Sequence, residues 1–290
     1  MNALETQFIK CGDYMGAGKN YSSAQAVILG APMDFTVSFR PGTRFGPEKI
    51  RSVSIVLEEF SPYLNRHLQD IEFYDAGDLA LPFGNVEKSL EMIFNAISQV
   101  YRDGKFPILL GGEHLVSLPA IKAAHSHFGT LKVIQLDAHA DLREDYEGES
   151  ASHATVIRKT VDLIGGQNVF QLGIRSGTRE EFVLAREVTN LYFNQLAEAV
   201  GDVIKKCAGD PVYITLDIDV LDPAFAPGTG TPEPGGFSVK EVLNVIYMFK
   251  GLNVIGFDLV EVSPVHDHAD ITSVAAAKII REVLLGFIKK

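Results

Sequence analysis

The chain has 290 residues, 46% of them hydrophobic, enough apolar material for the core of one large α/β domain. Asp and Glu number 37 against 26 Lys and Arg, a formal charge of -11, which argues against nucleic acid as a partner and favours metal ions and cationic small molecules. Cys11 and Cys207 are too few for a disulfide framework and fit a reducing cytoplasm, and neither a signal peptide nor a run of roughly 18 apolar residues is found, so a membrane partner is not expected.

Residues 1–20 are expected to form an N-terminal arm and residues 21–290 a single domain, because no repeat, low-complexity tract or flexible linker divides the chain. Apolar runs of strand length recur at residues 26–30, 71–75, 106–111, 132–137, 168–173, 212–217 and 253–260. Their near-continuous hydrophobicity marks strands covered on both faces. Residues 89–101 carry apolar side chains at three- and four-residue intervals and stop near Gly104, and residues 117–128 do the same before Gly129. Ser238-Val239-Lys240-Glu241 is a capping box that opens a helix to about Lys250, and Thr272 or Ser273 is expected to cap the last helix. The alternation predicts a mostly parallel sheet with helices on both faces, a single three-layer α/β domain whose ligands bind beyond the carboxyl ends of the strands.

Those strand ends carry the chemistry. Asp137, His139 and Asp141 alternate after one apolar run, Asp217 and Asp219 after another, and the spacing lets alternate side chains converge on one point. Gly111-Gly112-Glu113-His114 adds a second imidazole, and Glu261 ends a further strand. A lone Asp-x-His-x-Asp is as readily a solvated turn, but carboxylates at several buried strand ends need a common neutraliser. Four carboxylates and two imidazoles suit two divalent cations sharing carboxylates, and with no thiolate in the set a hard ion such as Mn2+ fits better than a structural zinc. The glycine- and proline-rich segment 217–236 reads as a loop that lets a substrate approach backbone closely.

Other patterns carry bland readings. Residues 12–20 imitate a phosphate loop, but Asp13 stands at the required glycine and Asn20 at the hydroxyl position. His266-Asp267-His268-Ala269-Asp270 suits the start of the last helix better than a metal site. His125 and His127 fall within a helical pattern as surface residues, and residues 40–47 read as structural.

Gly111-Gly112-Glu113-His114-Leu115, Asp137-Ala138-His139-Ala140-Asp141-Leu142-Arg143, Ser152-His153-Ala154-Thr155, the 217–236 segment and Asp258-Leu259-Val260-Glu261-Val262-Ser263-Pro264 together resemble the ureohydrolases, the arginase/agmatinase family. The likeness runs in matching order from about Gly30 to the C-terminus and is closest to the bacterial agmatinases. It implies an arginase/deacetylase-like fold, with residues 21–290 as the catalytic domain, and two Mn2+ per chain. By motif, His114, Asp137, Asp141 and Asp217 would hold one ion and Asp137, His139, Asp217 and Asp219 the other. Glu261 matches the acid that faces a guanidinium, and His153 matches the proton shuttle, although alone it reads as a helix-start residue. Asp141 would take a proton from the attacking water and pass it to the leaving amine.

The implied reaction is hydrolysis of agmatine to putrescine and urea, a step of polyamine biosynthesis, by a cytoplasmic homo-oligomer, a trimer or hexamer. Residues 142–152 guide the substrate choice. They contain four acids and lack the Ser/Thr/Asn-rich loop that in arginases contacts an amino acid's carboxylate, so a second cation is expected there, unless these acids face water. Guanidinobutyrase, arginase and a non-catalytic metal-binding scaffold are the alternatives. The deacetylase branch of the fold has no evident use for Glu261.

Overall fold

A computed structural model describes residues 7–18 and 20–289. In chain order the strands are β1 (Phe8–Ile9), β2 (Ala26–Ala31), β3 (Phe60–Ser61), β4 (Arg66–His67), β5 (Phe73–Leu79), β6 (Phe106–Gly111), β7 (Lys132–Leu136), β8 (Val169–Leu172), β9 (Asn190–Tyr192), β10 (Pro211–Asp217) and β11 (Asn253–Val260). The helices are α1 (Gly46–Ser54), α2 (Val86–Arg102), α3 (Ser117–Phe128), α4 (Val156–Ile164), α5 (Arg179–Val188), α6 (Ala197–Cys207), α7 (Val239–Met248) and α8 (Ile271–Phe287). β3 and β4 pair with each other, while the others form one sheet in the order β1-β5-β2-β6-β11-β10-β7-β8-β9. Its pairings are parallel except that of β1 with β5.

Strand alternation sends successive apolar side chains to opposite faces, so each strand feeds two cores. Ala26 and Ile28 pack in one with Ile50, Val203, Ile246 and Ile280 from α1, α6, α7 and α8. Val27 and Leu29 pack in the other with Ile97, Ile121, Ile157 and Ala185 from α2, α3, α4 and α5. This is the single three-layer α/β domain expected. The four middle strands, β6, β11, β10 and β7, are hydrogen-bonded neighbours, and their carboxyl ends lead into His114, Glu261, Asp217 and Asp137.

The differences from expectation have physical causes. β5 extends beyond Asp75 to Leu79 because two charges that interrupt its apolar run are neutralised inside the fold. The fully buried Arg51 donates from Nε to Asp75 at 2.8 Å, from Nη2 to the Gly77 carbonyl at 3.0 Å, and pairs with Asp78. Within the 1–20 segment, β1 adds to the sheet edge, and Tyr14 is buried with its amide on Asp75 and its hydroxyl 2.6 Å from the Ala277 carbonyl. α2 starts early because Asn85 caps it by accepting from the Lys88 amide, and it stops before Gly104 at φ 69.

The Ser238–Glu241 capping box forms as read. α8 begins at Ile271, one residue ahead of Thr272 and two ahead of Ser273, the caps expected. Asp267 takes that part instead, accepting from the Thr272 amide at 3.1 Å and the Ser273 amide at 2.8 Å. The His-Asp run before α8 is thus a helix-start device. On α3, His127 is exposed and stacks on Tyr101 at 5.5 Å between ring centroids. No described helix is long and apolar enough to cross a membrane.

Candidate metal centre

β7 ends at Leu136, so the Asp137–Asp141 run leaves the sheet instead of continuing as a strand. Asp141 then takes a left-handed backbone conformation, φ 52, rare for a residue with a Cβ and a mark of an over-determined site. The alternate side chains therefore divide between two neighbouring points, Asp141 at one, His139 at the other and Asp137 at both. His114, Asp137 and Asp141 bring ligand atoms together at one point, and Asp137, His139 and Asp219 at another, each set lying within 4.8 Å. Asp137 belongs to both. His114 Nδ1 lies 3.1 Å from Asp137 Oδ2, 3.0 Å from Asp141 Oδ2 and 3.5 Å from Asp217 Oδ2. His139 Nδ1 lies 2.9 Å from Asp219 Oδ2.

Backbone amides aim these carboxylates. One oxygen of Asp137 accepts from the His139 amide at 2.6 Å, one of Asp217 from the Asp219 amide at 2.9 Å, and one of Asp219 from the Ala138 amide at 3.1 Å. For Asp217 and Asp219 this leaves the second oxygen turned toward an imidazole. Gln135 fixes the other oxygen of Asp137 at 2.8 Å, and Gln171 in turn donates to Gln135 at 2.8 Å. Sequence reasoning passed over both glutamines. Their signal was a polar amide in the middle of an otherwise apolar strand, which must find partners there.

The electrostatics describe a site short of positive charge. Burial, with Asp219 and Asp141 alongside, pushes Asp137 up to about 7, and burial with Asp219 and Asp137 holds Asp217 well above the carboxylate range. Burial disfavours charge on His139, but Asp219 and Asp137 outweigh it and push that imidazole up to about 10. His114 is raised for the same reason by Asp137 and Asp141. Asp219 is buried too, yet His139 and the Ala138 amide pull it down to about 2. His114 Nδ1 and Asp219 Oδ2 are buried beside carboxylate and imidazole neighbours about 3 Å away. Carboxylate and imidazole donor atoms crowded at two neighbouring points, short of positive charge, are what a divalent cation would satisfy, so the donor set fits one.

A cavity of about 280 Å3 opens beside this cluster, lined by His114, His139, Asp141, His153 and Glu261 among others. Glu261 is also left-handed, φ 65, and accepts from the His114 amide at 2.7 Å. Burial, with the nearby Glu113 adding to it, pushes its carboxyl up to about 8. His153 opens the short turn before α4, as its local sequence suggested, and faces the cavity as well. Its amide donates to the Thr36 hydroxyl at 3.1 Å, its ring meets Tyr146 edge-on at 5.4 Å, and burial lowers its pKa. Glu113, read only as part of a motif, holds Thr36 through both of its oxygens at 2.7 and 2.9 Å.

The loop over residues 142–152 gives Arg143 and Tyr146 to the cavity wall, while Glu144, Asp145, Glu147 and Glu149 are exposed. The expectation that these acids line the substrate site is corrected. Glu147 and Glu149 border a neighbouring hollow with Phe35 and Leu90. Arg143 lies over the Tyr146 ring at 4.8 Å and 3.5 Å from Glu181, so its charge is already engaged.

The model of the Arginase family matches residues 24–286. The chain is 55% identical over 273 residues to the agmatinase of Bacillus anthracis, covering 93% of this chain and 94% of that one. It is 35% identical to the guanidinobutyrase of Pseudomonas aeruginosa, over 89% and 85% of the two chains. The crystal structure of the agmatine ureohydrolase of Thermoplasma volcanium superposes with a TM-score of 0.86 at 33% identity, over 94% and 93% of the chains.

Proposed function

The chain belongs to the arginase family, and from that premise we propose that it hydrolyses agmatine to urea and putrescine with two Mn2+ held by His114, Asp137, His139, Asp141, Asp217 and Asp219. The observation that carries the metal part is the convergence of Asp137, Asp141, Asp219 and two imidazoles at two adjoining points, with Asp217 3.5 Å from His114, at the ends of neighbouring strands. When bound, such a pair of cations lowers the pKa of a shared water and stabilises developing negative charge on the substrate.

The chain's own groups do the rest. Glu261 is buried at the cavity wall and, once ionised opposite a guanidinium, orients it by charge-assisted hydrogen bonds. Asp141 accepts a proton from the attacking water and hands it to the departing amine, since a guanidinium releases its alkylamine only when that nitrogen is protonated. His153, kept neutral by partial burial but still reached by solvent at the cavity, exchanges protons with solvent.

The choice of agmatine rests on the cavity wall as well as on the relatives. Among the described residues lining it, Arg143 is the lone Lys or Arg, and it is engaged by Tyr146 and Glu181. A carboxylate-bearing substrate such as arginine or 4-guanidinobutyrate therefore meets no free cation there, whereas an alkylammonium is compatible with the acidic surroundings. Incubating the Mn2+-loaded protein with agmatine, arginine and 4-guanidinobutyrate and measuring urea tests this. Agmatine turns over fastest; faster turnover of either carboxylate would sink the assignment.

A place in polyamine synthesis follows from the product, and a cytoplasmic setting is supported by Cys11 and Cys207, both free thiols. Assembly as a trimer or hexamer is proposed from the family and is read directly by light scattering.

A further inference from the structure

We infer that Thr36 is a positioning residue for His153: clamped by Glu113, its hydroxyl holds the backbone amide that seats the imidazole at the cavity, an inference that rests on the proton-exchange role proposed above for His153. β2 and β6 lie side by side in parallel, with Ala31 and Gly111 as register partners, so the loops that follow them leave the sheet together. They are tied at once. The Gly112 amide donates to the Ala31 carbonyl at 2.9 Å, and the Glu113 amide to the Met33 carbonyl at 2.7 Å. The fully buried Glu113 side chain then reaches across to the other loop, where one oxygen accepts from the Thr36 amide at 2.7 Å and the other from its hydroxyl at 2.9 Å. Both donors of Thr36 are thus held from one side.

The free side of that hydroxyl meets a third segment. His153 is the first residue of the short turn that leads into α4, and the amides at a helix start have no carbonyl of their own turn to bond. The preceding amide, that of Ser152, is satisfied inside the turn by Thr155 Oγ1 at 3.0 Å. That of His153 instead donates to Thr36 Oγ1 at 3.1 Å, across 117 residues of chain. A backbone N–H only donates, so Thr36 is the acceptor here whatever the charge on Glu113 or on the imidazole. The ring is confined at two points, by its own pinned backbone and by Tyr146, whose ring meets it edge-on at 5.4 Å. Without the hydroxyl, a partly buried amide has no acceptor and the turn must shift to find one. A group that passes protons loses efficiency steeply when it is displaced.

The test compares Mn2+-loaded wild type with Thr36→Val and Thr36→Ala, which remove the acceptor, Thr36→Ser, which keeps it, and Thr36→Val placed in a His153→Asn background. The valine and alanine variants should lower kcat for urea release from agmatine by about 10- to 100-fold, with KM and bound Mn2+ near the wild-type values. Thr36→Ser should retain most of the rate, and in the His153→Asn background Thr36→Val should cost nothing further, because the residue acts only through that histidine. Hydrogen exchange read by mass spectrometry across residue 153 should show an amide deprotected in the valine and alanine variants and protected in the serine one. A wild-type kcat in both Thr36→Val and Thr36→Ala overturns the inference, as does failure of serine to rescue, a change in KM alone, or a second full loss in the His153→Asn background. Unchanged exchange at that amide overturns the clamp itself. A wild-type protein that releases no urea from agmatine overturns the proposed function instead, and the exchange measurement still decides whether Thr36 holds His153.

Discussion

Loading the metal-free protein with Mn2+ should expel protons, and the number follows from the cluster. His139 is pushed up to about 10, so near pH 8 its imidazole carries a second hydrogen that must leave before the ring nitrogen can ligate, and His114, raised above an ordinary histidine, adds to the release. Asp219, pulled down to about 2, has none to lose. Asp137, near 7, has lost most of its own by then, while Asp217, raised well above its ordinary value, adds to the release. About one or more protons therefore leave per pair of cations, and each steepens the pH dependence of binding by roughly 1.4 kcal/mol per pH unit. The product of the two binding constants should rise about 10-fold or more between pH 7.5 and 8.5, with acid favouring the metal-free form. Calorimetric titration in buffers of different ionisation heat counts the protons directly, and His139→Asn should remove about one. An affinity flat across that range, with no buffer dependence, would refute the charge assignment.

Asp217→Asn removes one of the carboxylates shared by the proposed ion pair and should lower bound metal below two per chain; unchanged content by elemental analysis refutes the shared role. Gly112→Ala would set a Cβ 1.8 Å from the Met33 carbonyl oxygen, a backbone atom that no rotamer moves aside, so urea unfolding should show a loss of about 1–3 kcal/mol or more, and an unaltered midpoint argues against that close approach. Glu282 is driven upward by burial, but hydrogen bonds with Ser61, Arg281 and Lys278 outweigh this and hold it below its ordinary 4.5. Its contribution is complete above the unfolded value and fades as pH falls through the folded one. Glu282→Gln should thus destabilise by about 1–3 kcal/mol at pH 7 and by progressively less in acid, in contrast to a gap that stays constant with pH.

Much of this was readable because parallel strands advertise themselves. Buried on two faces, the runs at β2, β6, β7, β10 and β11 could be located from hydrophobicity alone, and so could the strand ends from which His114, Asp137, Asp217 and Glu261 follow. What was hidden depends on partners distant in sequence. β5 seemed to stop at Asp75 because Arg51, which neutralises Asp75 and Asp78, lies on α1. Nothing local told that Asp141 and Glu261 adopt left-handed backbones, which redirect their side chains. The acids of residues 142–152 invited a substrate role because charge is visible in sequence, whereas the direction a loop turns is not. Gln135 and Gln171 escaped notice for the opposite reason: each works through a neighbour across the fold.

The order in which the sheet is filled bears on how the protein is made. β6 and β7 are consecutive in the chain yet are held apart by β10 and β11, strands that emerge from synthesis some 75 and 117 residues after β7 has ended. Until they insert, the sheet exists as two unjoined halves, with long loops to close before the central pairings can form, which slows folding. Asp137 and Asp141 wait on one half and His114 on the other, without Asp217, Asp219 or Glu261 between them. A nascent or truncated chain therefore lacks the means to trap a metal ion, and capture of the ion reports that the last strand has been threaded home.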